Sequence, residues 1–333
     1  LLPIGFACIL TNIPLTGMGI GESRGLFDIL YNAGIINELF PLLIFIGVGA
    51  MTDFGPLLES PKMAFLGAAG QFGIFGTLLV ATMLGFDINE AASIGIIGSA
   101  DGPTSIYVAG KLAPQLLGPI AVAAYSYMSL VPVLQPPVMK LLTTKEQRRI
   151  RMPYTSQPVS RLTRLLFPFV VTLIAGLLVP LAVPLIGMLM FGNLLREALV
   201  VDRLSKAAQN ELANIVTLFL GLAIGSTMTA ESFLNWTTIV ILLMGAVAFI
   251  LDTAGGVLFG QLMRILSGNK FNPLIGAAGI SAFPMSARVV HKVAQEEDFD
   301  NFLLMHAMGA NTAGQIASVM AGGVVLALLA GGG

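Results

Sequence analysis

Long apolar stretches separated by short polar clusters run along almost the whole chain. A helix needs about 20 mostly apolar residues to cross a bilayer. The pattern predicts nine such spans, at roughly 38–54, 63–86, 91–112, 117–139, 165–190, 213–230, 237–262, 272–292 and 302–330. Leu1 to Leu10 read as the tail of a further one. The clusters between spans include Glu59-Ser60-Pro61-Lys62, Asp87-Ile88-Asn89-Glu90, Asn235-Trp236-Thr237-Thr238 and Ser267-Gly268-Asn269-Lys270. The expected fold class is an all-α polytopic membrane protein of about nine or more spans. The chain begins Leu1-Leu2-Pro3 with no signal pattern behind it, so an N-terminal segment is expected to precede it.

Composition supports that solvent. Of 333 residues, 56% are apolar and 11% charged, against about 25% charged in a soluble domain. The chain lacks the charge to cover itself with water, which excludes a soluble globule and a disordered chain. With 17 basic and 18 acidic residues it offers no polyanion field, so nucleic acid is not an expected partner. The single cysteine, Cys8, and the two histidines, His291 and His306, exclude a disulfide framework and a multi-histidine metal site. No phosphate-binding loop, HExxH pair or nucleophile elbow is present, so ATP is not the expected energy source.

Charge is concentrated in one connector. Residues 140–164 hold Lys140, Lys145, Arg148, Arg149, Arg151, Arg161 and Arg164 against one acid, Glu146. The positive-inside rule places this loop in the cytoplasm, so span 117–139 runs inward and span 91–112 outward.

Sliding the sequence on itself by 181 residues aligns 95–113 with 276–294 and matches seven of nineteen positions: Gly95/Gly276, Gly98/Gly279, Pro103/Pro284, Ser105/Ser286, Val108/Val289, Lys111/Lys292 and Ala113/Ala294. These are the third and eighth spans, an odd separation, which predicts an inverted-topology repeat. Each copy carries a proline deep in an apolar stretch, so each is expected to be a broken helix. Irregular backbone survives in a bilayer only where protein or a water-filled cavity surrounds it, and two broken helices meeting near the midplane form an oxygen-rich cage for a small hard cation. The organisation expected is an N-terminal remnant (1–37), a first repeat half (38–139) with its break in 91–112, and the basic loop (140–164). A connecting span and loop (165–212) follow, then a second half (213–333) with its break in 272–292.

Asp101 lies beside Gly102 and Pro103, with no other charge from Ala91 to Ala109. A carboxylate there costs about 2.5–3.5 kcal/mol on insertion scales, which makes it the leading ligand for Na⁺ or a proton, with a helix cap as the alternative. In the second copy Ala282 takes its place, among Asn272, Ser281, Ser286 and Arg288. Asn272 is a ligand or a cap, Ser281 a neutral oxygen or a bond to a freed carbonyl, and Gly276 a site of close approach or ordinary packing. Asn311 in the last span ligates or joins helices. Tyr125 and Tyr127 relay protons or mark an interface. Arg288 binds an anion or anchors the cytoplasmic face. Asp53 is expected at an interface, and Asp252 beside a cavity.

The segments GVGAMTDFGPLLES (47–60), GIIGSADGPTSIY (95–107), AVAAYSYMSLVPVLQPP (121–137), FGNLLRE (191–197), NPLIGAAGISAFPMSARV (272–289) and NFLLMHAMGANTAG (301–314) resemble the membrane-embedded beta subunit of the Na⁺-translocating, biotin-dependent decarboxylases of oxaloacetate, methylmalonyl-CoA and glutaconyl-CoA. The resemblance covers nearly the whole chain. It implies a bacterial or archaeal cytoplasmic-membrane subunit that decarboxylates carboxybiotin supplied by a partner, consumes a proton and exports Na⁺. It implies a carboxyltransferase/biotin-carrier alpha subunit and a small gamma subunit as partners, in a homo-oligomer. It assigns catalytic roles to Asp101, Tyr127 and Arg288, with Arg288 toward carboxybiotin, and the ion site to Asp101, Asn272, Gly276, Ser281 and Asn311. It departs before Leu26, and Asp252 matches no family site. The rival expectation is a secondary Na⁺/H⁺ antiporter or Na⁺-coupled carboxylate symporter.

Overall fold

The computed structural model describes residues 1–14, 25–154 and 159–329. Every regular element among them is helical. After α1 (Leu2–Thr11), a segment Leu26–Ile36 bends by 64° into α2 (Leu39–Met51). α3 (Pro61–Met83) is interrupted at Gly70 and Gln71 and restarts at Phe72. α4 (Ile88–Gly95) and α5 (Gly102–Leu112) flank a 3₁₀ turn, Ile96–Ser99. Long helices follow: α6 (Leu117–Leu142), α7 (Arg161–Leu178), α8 (Val183–Ala198), α9 (Ala213–Gly225) and α10 (Trp236–Leu266). A 3₁₀ segment Pro273–Gly279, α11 (Met285–Glu297) and α12 (Leu304–Leu329) complete the chain.

Among the described residues seven helices are long and apolar enough to cross a bilayer, or eight counting the bent pair. The difference from nine has two causes. The predicted span 165–190 divides at Val179–Ala182 into α7 and α8, because Pro180 cannot continue a helix. The segments 91–112 and 272–292 do not cross. A straight passage of about 20 residues would part its ends by about 30 Å, yet Gln115 Nε2 donates to Glu90 Oε1 at 3.0 Å. Likewise Asn272 Nδ2 and Asn301 Nδ2 each donate to the Arg148 carbonyl at 2.9 Å. Both segments are hairpins that return to the face they entered. Since α6 separates Gln115 from the basic loop by its full 26 residues, about 39 Å, the first hairpin opens away from that loop and the second opens onto it.

The two hairpins share an internal tie. Ser105 Oγ lies 3.5 Å from the Ile96 carbonyl and Ser286 Oγ 3.0 Å from that of Ala277, and both pairs of residues are related by the 181-residue offset. A hydroxyl from the returning arm thus meets a carbonyl that the entering arm, wound as a 3₁₀ turn, leaves free. Local chemistry sets each start: Asp87 and Glu90 form a capping box at α4, Asp101 caps α5, and Asn272 caps the 3₁₀ segment.

Small residues let α12 run through the centre. In its most apolar window 61% of residues are buried, against 11% for α7, so α12 is wrapped by protein and α7 faces outward. A methyl group built on Gly314 of α12 would lie 2.5 Å from the Gly279 carbonyl, and one on Gly276 would lie 1.9 Å from that of Gly256 in α10. Backbone meets backbone there, leaving no room for a side chain.

At the basic-loop face the loop's charge is met by acids at the end of the second hairpin. Arg148 pairs with Glu297 at 2.7 Å, Lys140 with Glu296 at 2.7 Å, and Arg151 with Asp298 at 2.6 Å and Asp300 at 3.4 Å. Asp53, expected at an interface, faces Arg164 and Arg196. At the far face Lys111 pairs with Glu38 at 2.8 Å.

Candidate cation site at the hairpin tips

The tips meet inside the bundle. Ala100 takes a left-handed conformation, φ +54°, which reverses the chain and leaves Asp101 extended at the N-terminus of α5. Only glycine adopts that conformation without strain, so the tertiary contacts at the tip hold it. Across from it, the Ser281 backbone N–H donates to the Ser99 carbonyl at 3.1 Å. The two breaks are therefore joined directly, main chain to main chain.

Asp101 is 4% exposed. Its Oδ1 accepts the Thr104 backbone N–H at 3.1 Å. Oδ2 accepts two hydroxyls, Ser281 Oγ from the second hairpin at 3.2 Å and Ser318 Oγ from α12 at 2.9 Å. No basic side chain bonds it among the described residues. Asn311 Nδ2 donates to the Ile280 carbonyl at 2.6 Å, and Gln315 Nε2 to the carbonyl of Ser281. The Asn311 Oδ1 is buried without a described partner. One carboxylate thus sits among hydroxyl, amide and carbonyl oxygens. Among the described residues no group of three or more His, Cys, Asp or Glu is placed to hold a metal ion, and the donors around Asp101 lack the nitrogen, sulfur or multiple carboxylates that transition metals and divalent ions take. A monovalent hard cation or a proton is what it suits.

A cavity of about 340 Å³ borders this carboxylate. Its walls include Phe45, Val48, Met51 and Thr52 of α2 and its end, Met128 of α6, and Phe283 and Pro284. Because Thr52 adjoins Asp53, which pairs with arginines at the basic-loop face, the cavity extends from the tips toward that face.

The structure brings together three of the residues singled out in the sequence, Asp101, Ser281 and Asn311. Tyr125 reaches the same tip through Gly102, and the others lie elsewhere. Asn272 is at the mouth of the second hairpin, where Nδ2 donates to the carbonyls of Arg148 and Ile150 at 2.9 Å and Oδ1 accepts the Leu274 N–H. Proline after it starts the 3₁₀ segment there, a full hairpin arm from the tip. Gly276 is in that arm, its backbone against Gly256. Tyr127 packs on Gly245 and donates to the Leu242 carbonyl of α10; Tyr125, two residues away, lays its ring against Gly102, beside Asp101. Arg288 is exposed on α11, one turn beyond the second tip; its backbone N–H donates to the Pro284 carbonyl at 3.3 Å, and its guanidinium forms no hydrogen bond or ion pair among the described residues. Asp252, expected beside a cavity, is instead packed against backbone.

Sequence reasoning missed Ser318 and Gln315. A signal exists: Asn311, Gln315 and Ser318 stand at i, i+4 and i+7 in an otherwise apolar span, which lines one face of a helix. Outside the membrane-spanning segments, hydrogen bonding from Arg148 holds the Glu297 carboxyl below its ordinary range, and Arg151 does the same to Asp298.

A family model described as the Na⁺-transporting oxaloacetate decarboxylase beta subunit matches residues 1–329. The chain is 57% identical over 331 residues to the glutaconyl-CoA decarboxylase subunit beta of Acidaminococcus fermentans, covering 99% of this chain and 87% of that one. It is 57% identical over 327 residues to the methylmalonyl-CoA decarboxylase subunit beta of Veillonella parvula, covering 98% and 86%. Against the oxaloacetate decarboxylase beta chain of Klebsiella pneumoniae it is 56% identical over 313 residues, covering 92% and 72%.

Proposed function

The chain belongs to the Na⁺-transporting oxaloacetate decarboxylase beta-subunit family, and from that premise we propose that Asp101 carries Na⁺ and a proton in turn across the membrane subunit of a carboxybiotin-driven pump. Family membership makes the chain the membrane subunit of a multi-subunit, decarboxylase-coupled Na⁺ pump. The observation that carries the finer reading is the buried Asp101 carboxylate, held by the tips of two hairpins that open to opposite faces and bonded to no basic group among the described residues.

The cycle follows from charge. Na⁺ enters through the cavity from the basic-loop face, which is the cytoplasmic one, and binds Asp101 with the oxygens of Ser281, Ser318 and Asn311. Its charge offsets the cost of the buried carboxylate. Moving one charge outward against 100 mV costs about 2.3 kcal/mol, which the decarboxylation supplies. Carboxybiotin, brought by an alpha subunit that carries the carboxyltransferase and the biotin, docks near Arg288, whose planar guanidinium suits a carboxylate. Cleavage of its N–CO₂⁻ bond gives CO₂ and leaves a ring nitrogen that takes up one proton. That proton arrives from the outer side by way of Asp101, with Tyr127 as a relay. A small gamma subunit and further copies of this chain complete the assembly in a bacterial or archaeal cytoplasmic membrane.

The shared 181-residue register of the Ser105 and Ser286 ties supports the two halves as an inverted repeat, in which displacement of one half against the other exchanges access. The test is Na⁺ uptake by inverted vesicles holding the whole complex. Decarboxylation should drive uptake, avidin should stop it, and Asp101→Asn should lower it roughly a hundredfold. Uptake that persists with avidin would point to secondary transport, and undiminished uptake in the Asp101→Asn complex would remove the carboxylate from the ion path.

A further inference from the structure

Asp252 is a second acid in the interior, and the ion path above makes no use of it. It projects from the middle of α10 and is wholly buried. Its Oδ1 accepts the backbone N–H groups of Gly73 and Ile74, the latter at 3.2 Å. These belong to the turn where α3 restarts after its interruption, so Asp252 caps a helix that begins inside the bundle. Its Oδ2 is also buried and has no partner among the described residues. That oxygen lies against the first hairpin, so close that a methyl group built on Gly98 would sit 2.2 Å from it.

In the other half of the molecule the equivalent pair of residues is joined by a hydrogen bond. The 181-residue offset carries Gly98 to Gly279 and Asp252 back to Gln71. Gln71 Nε2 donates to the Gly279 carbonyl at 3.2 Å, an amide hydrogen holding the second hairpin against α3. A carboxyl oxygen can do what that amide nitrogen does only if it carries a hydrogen. Ionised, it would turn lone pairs toward a hairpin turn with no basic side chain paired to it among the described residues, an expensive state for a buried carboxylate.

We propose that Asp252 is a second proton-binding site, a neutral acid whose Oδ2–H is donated into the Gly98 turn and latches the first hairpin to α10. Loss of the proton leaves a carboxylate, returns H⁺ to the medium and frees the hairpin. Gly98 lies three residues before Asp101, so the latch acts on the segment that carries the cation-site carboxylate. Among the described residues no rival titratable group sits at the contact. The hairpin itself brings Asp101, bonded to Ser281 and Ser318. From α6 come Tyr125 against Gly102, Tyr127 on the Leu242 carbonyl and Lys140 paired with Glu296. α4 brings Glu90, bonded to Gln115 at the far face. α3 brings only Lys62, exposed at its start, the 3₁₀ segment 273–279 brings none, and α10 itself brings Arg264, bonded to Gln261.

The test uses the full chain in lipid vesicles and needs neither Na⁺ nor biotin, so its failure is separable from failure of the transport reading. Infrared spectra are compared between Asp101→Asn and the double variant Asp101→Asn/Asp252→Asn. The expected result is a protonated-carboxyl C=O band at neutral pH that titrates away in alkali and is lost in the double variant; a carboxylate band alone would overturn the proposal. Hydrogen–deuterium exchange of residues 95–101, corrected for intrinsic base catalysis, should rise in alkali in the native chain. In Asp252→Asn, whose amide reproduces the Gln71 arrangement, that rise should be lost. A native chain without the rise, or a variant that keeps it, refutes the latch, and the native profile alone decides if the variant does not fold.

Discussion

The first hairpin carries a charge at its tip and few polar ties at its mouth, whereas the second has an uncharged tip and a mouth clamped by ions. Asp101 sits at the reversal of the first, where Ser281 and Ser318 come from other elements to meet it. The mouth of that hairpin is tied by Glu90 to Gln115 and Lys111 to Glu38. At the second mouth, Arg148, Arg151, Asn272 and Asn301 join the loop to the acids at 297–300 and to one another's backbone. The difference teaches where each kind of interaction is affordable. Ion pairs are placed at an aqueous face, where desolvation is small, while the single interior charge at the tips is surrounded by hydrogen-bond donors that only the assembled fold provides.

The sharpest way to break the comparison is to remove the charge. Asp101→Asn should lower Na⁺-dependent turnover roughly a hundredfold, the ratio for about 2.8 kcal/mol, with Na⁺ uptake as the measurement; an unchanged rate would make the two tips equivalent. Next comes Arg148→Ala, which strands Glu297 and the Thr143 carbonyl that Arg148 also binds. It should cost about 2 kcal/mol, mostly for the carbonyl left unpaired, read as a lower unfolding temperature in detergent. The same clamp predicts a pH effect. Arg148 and Arg151 depress the Glu297 and Asp298 carboxyls, so their stabilisation is present above the ordinary carboxylate range and lost as pH falls through the depressed values. Exchange at 297–301 should then rise in acid while the first mouth changes less.

A smaller effect is expected from Ser318→Ala, which removes one charge-assisted hydrogen bond and should weaken Na⁺ binding by about tenfold, or 1.4 kcal/mol, measured by Na⁺ protection from proteolysis. The smallest belongs to Gln115→Ala at the exposed first mouth, within about 0.5 kcal/mol of the native stability. A large loss there would show that both mouths are clamped alike.

Much of this was legible in the sequence, and the failures are instructive. The apolar runs predict a helical membrane protein because a bilayer tolerates nothing else made of such segments, and Asp101 stands out because charge is rare there. Pro103 and Pro284 correctly mark interrupted helices, yet the interruptions reverse the chain instead of kinking a span. Hydropathy cannot tell a segment that crosses from one that enters and returns, since both are apolar over their length. The resemblance groups Asn272 with Ser281 in one ion site, but the residues between them run along the arm of a hairpin, from its mouth to its tip. Gln315 and Ser318 were legible only as a helical stripe.

The sequence by itself determined the solvent, the helical class, the basic loop, the resemblance of 95–113 to 276–294 and the presence of Asp101 in an otherwise uncharged stretch. These follow from composition and local backbone chemistry, which act within a few residues. Tertiary structure alone decided that the paired segments are hairpins, that their tips touch, that α12 supplies a hydroxyl to Asp101, and that Asp252 faces Gly98. Those are contacts between residues about 25 apart at the hairpin mouths and more than 150 apart at the tips and at Asp252, and they exist because small side chains let several backbones occupy the same few ångströms.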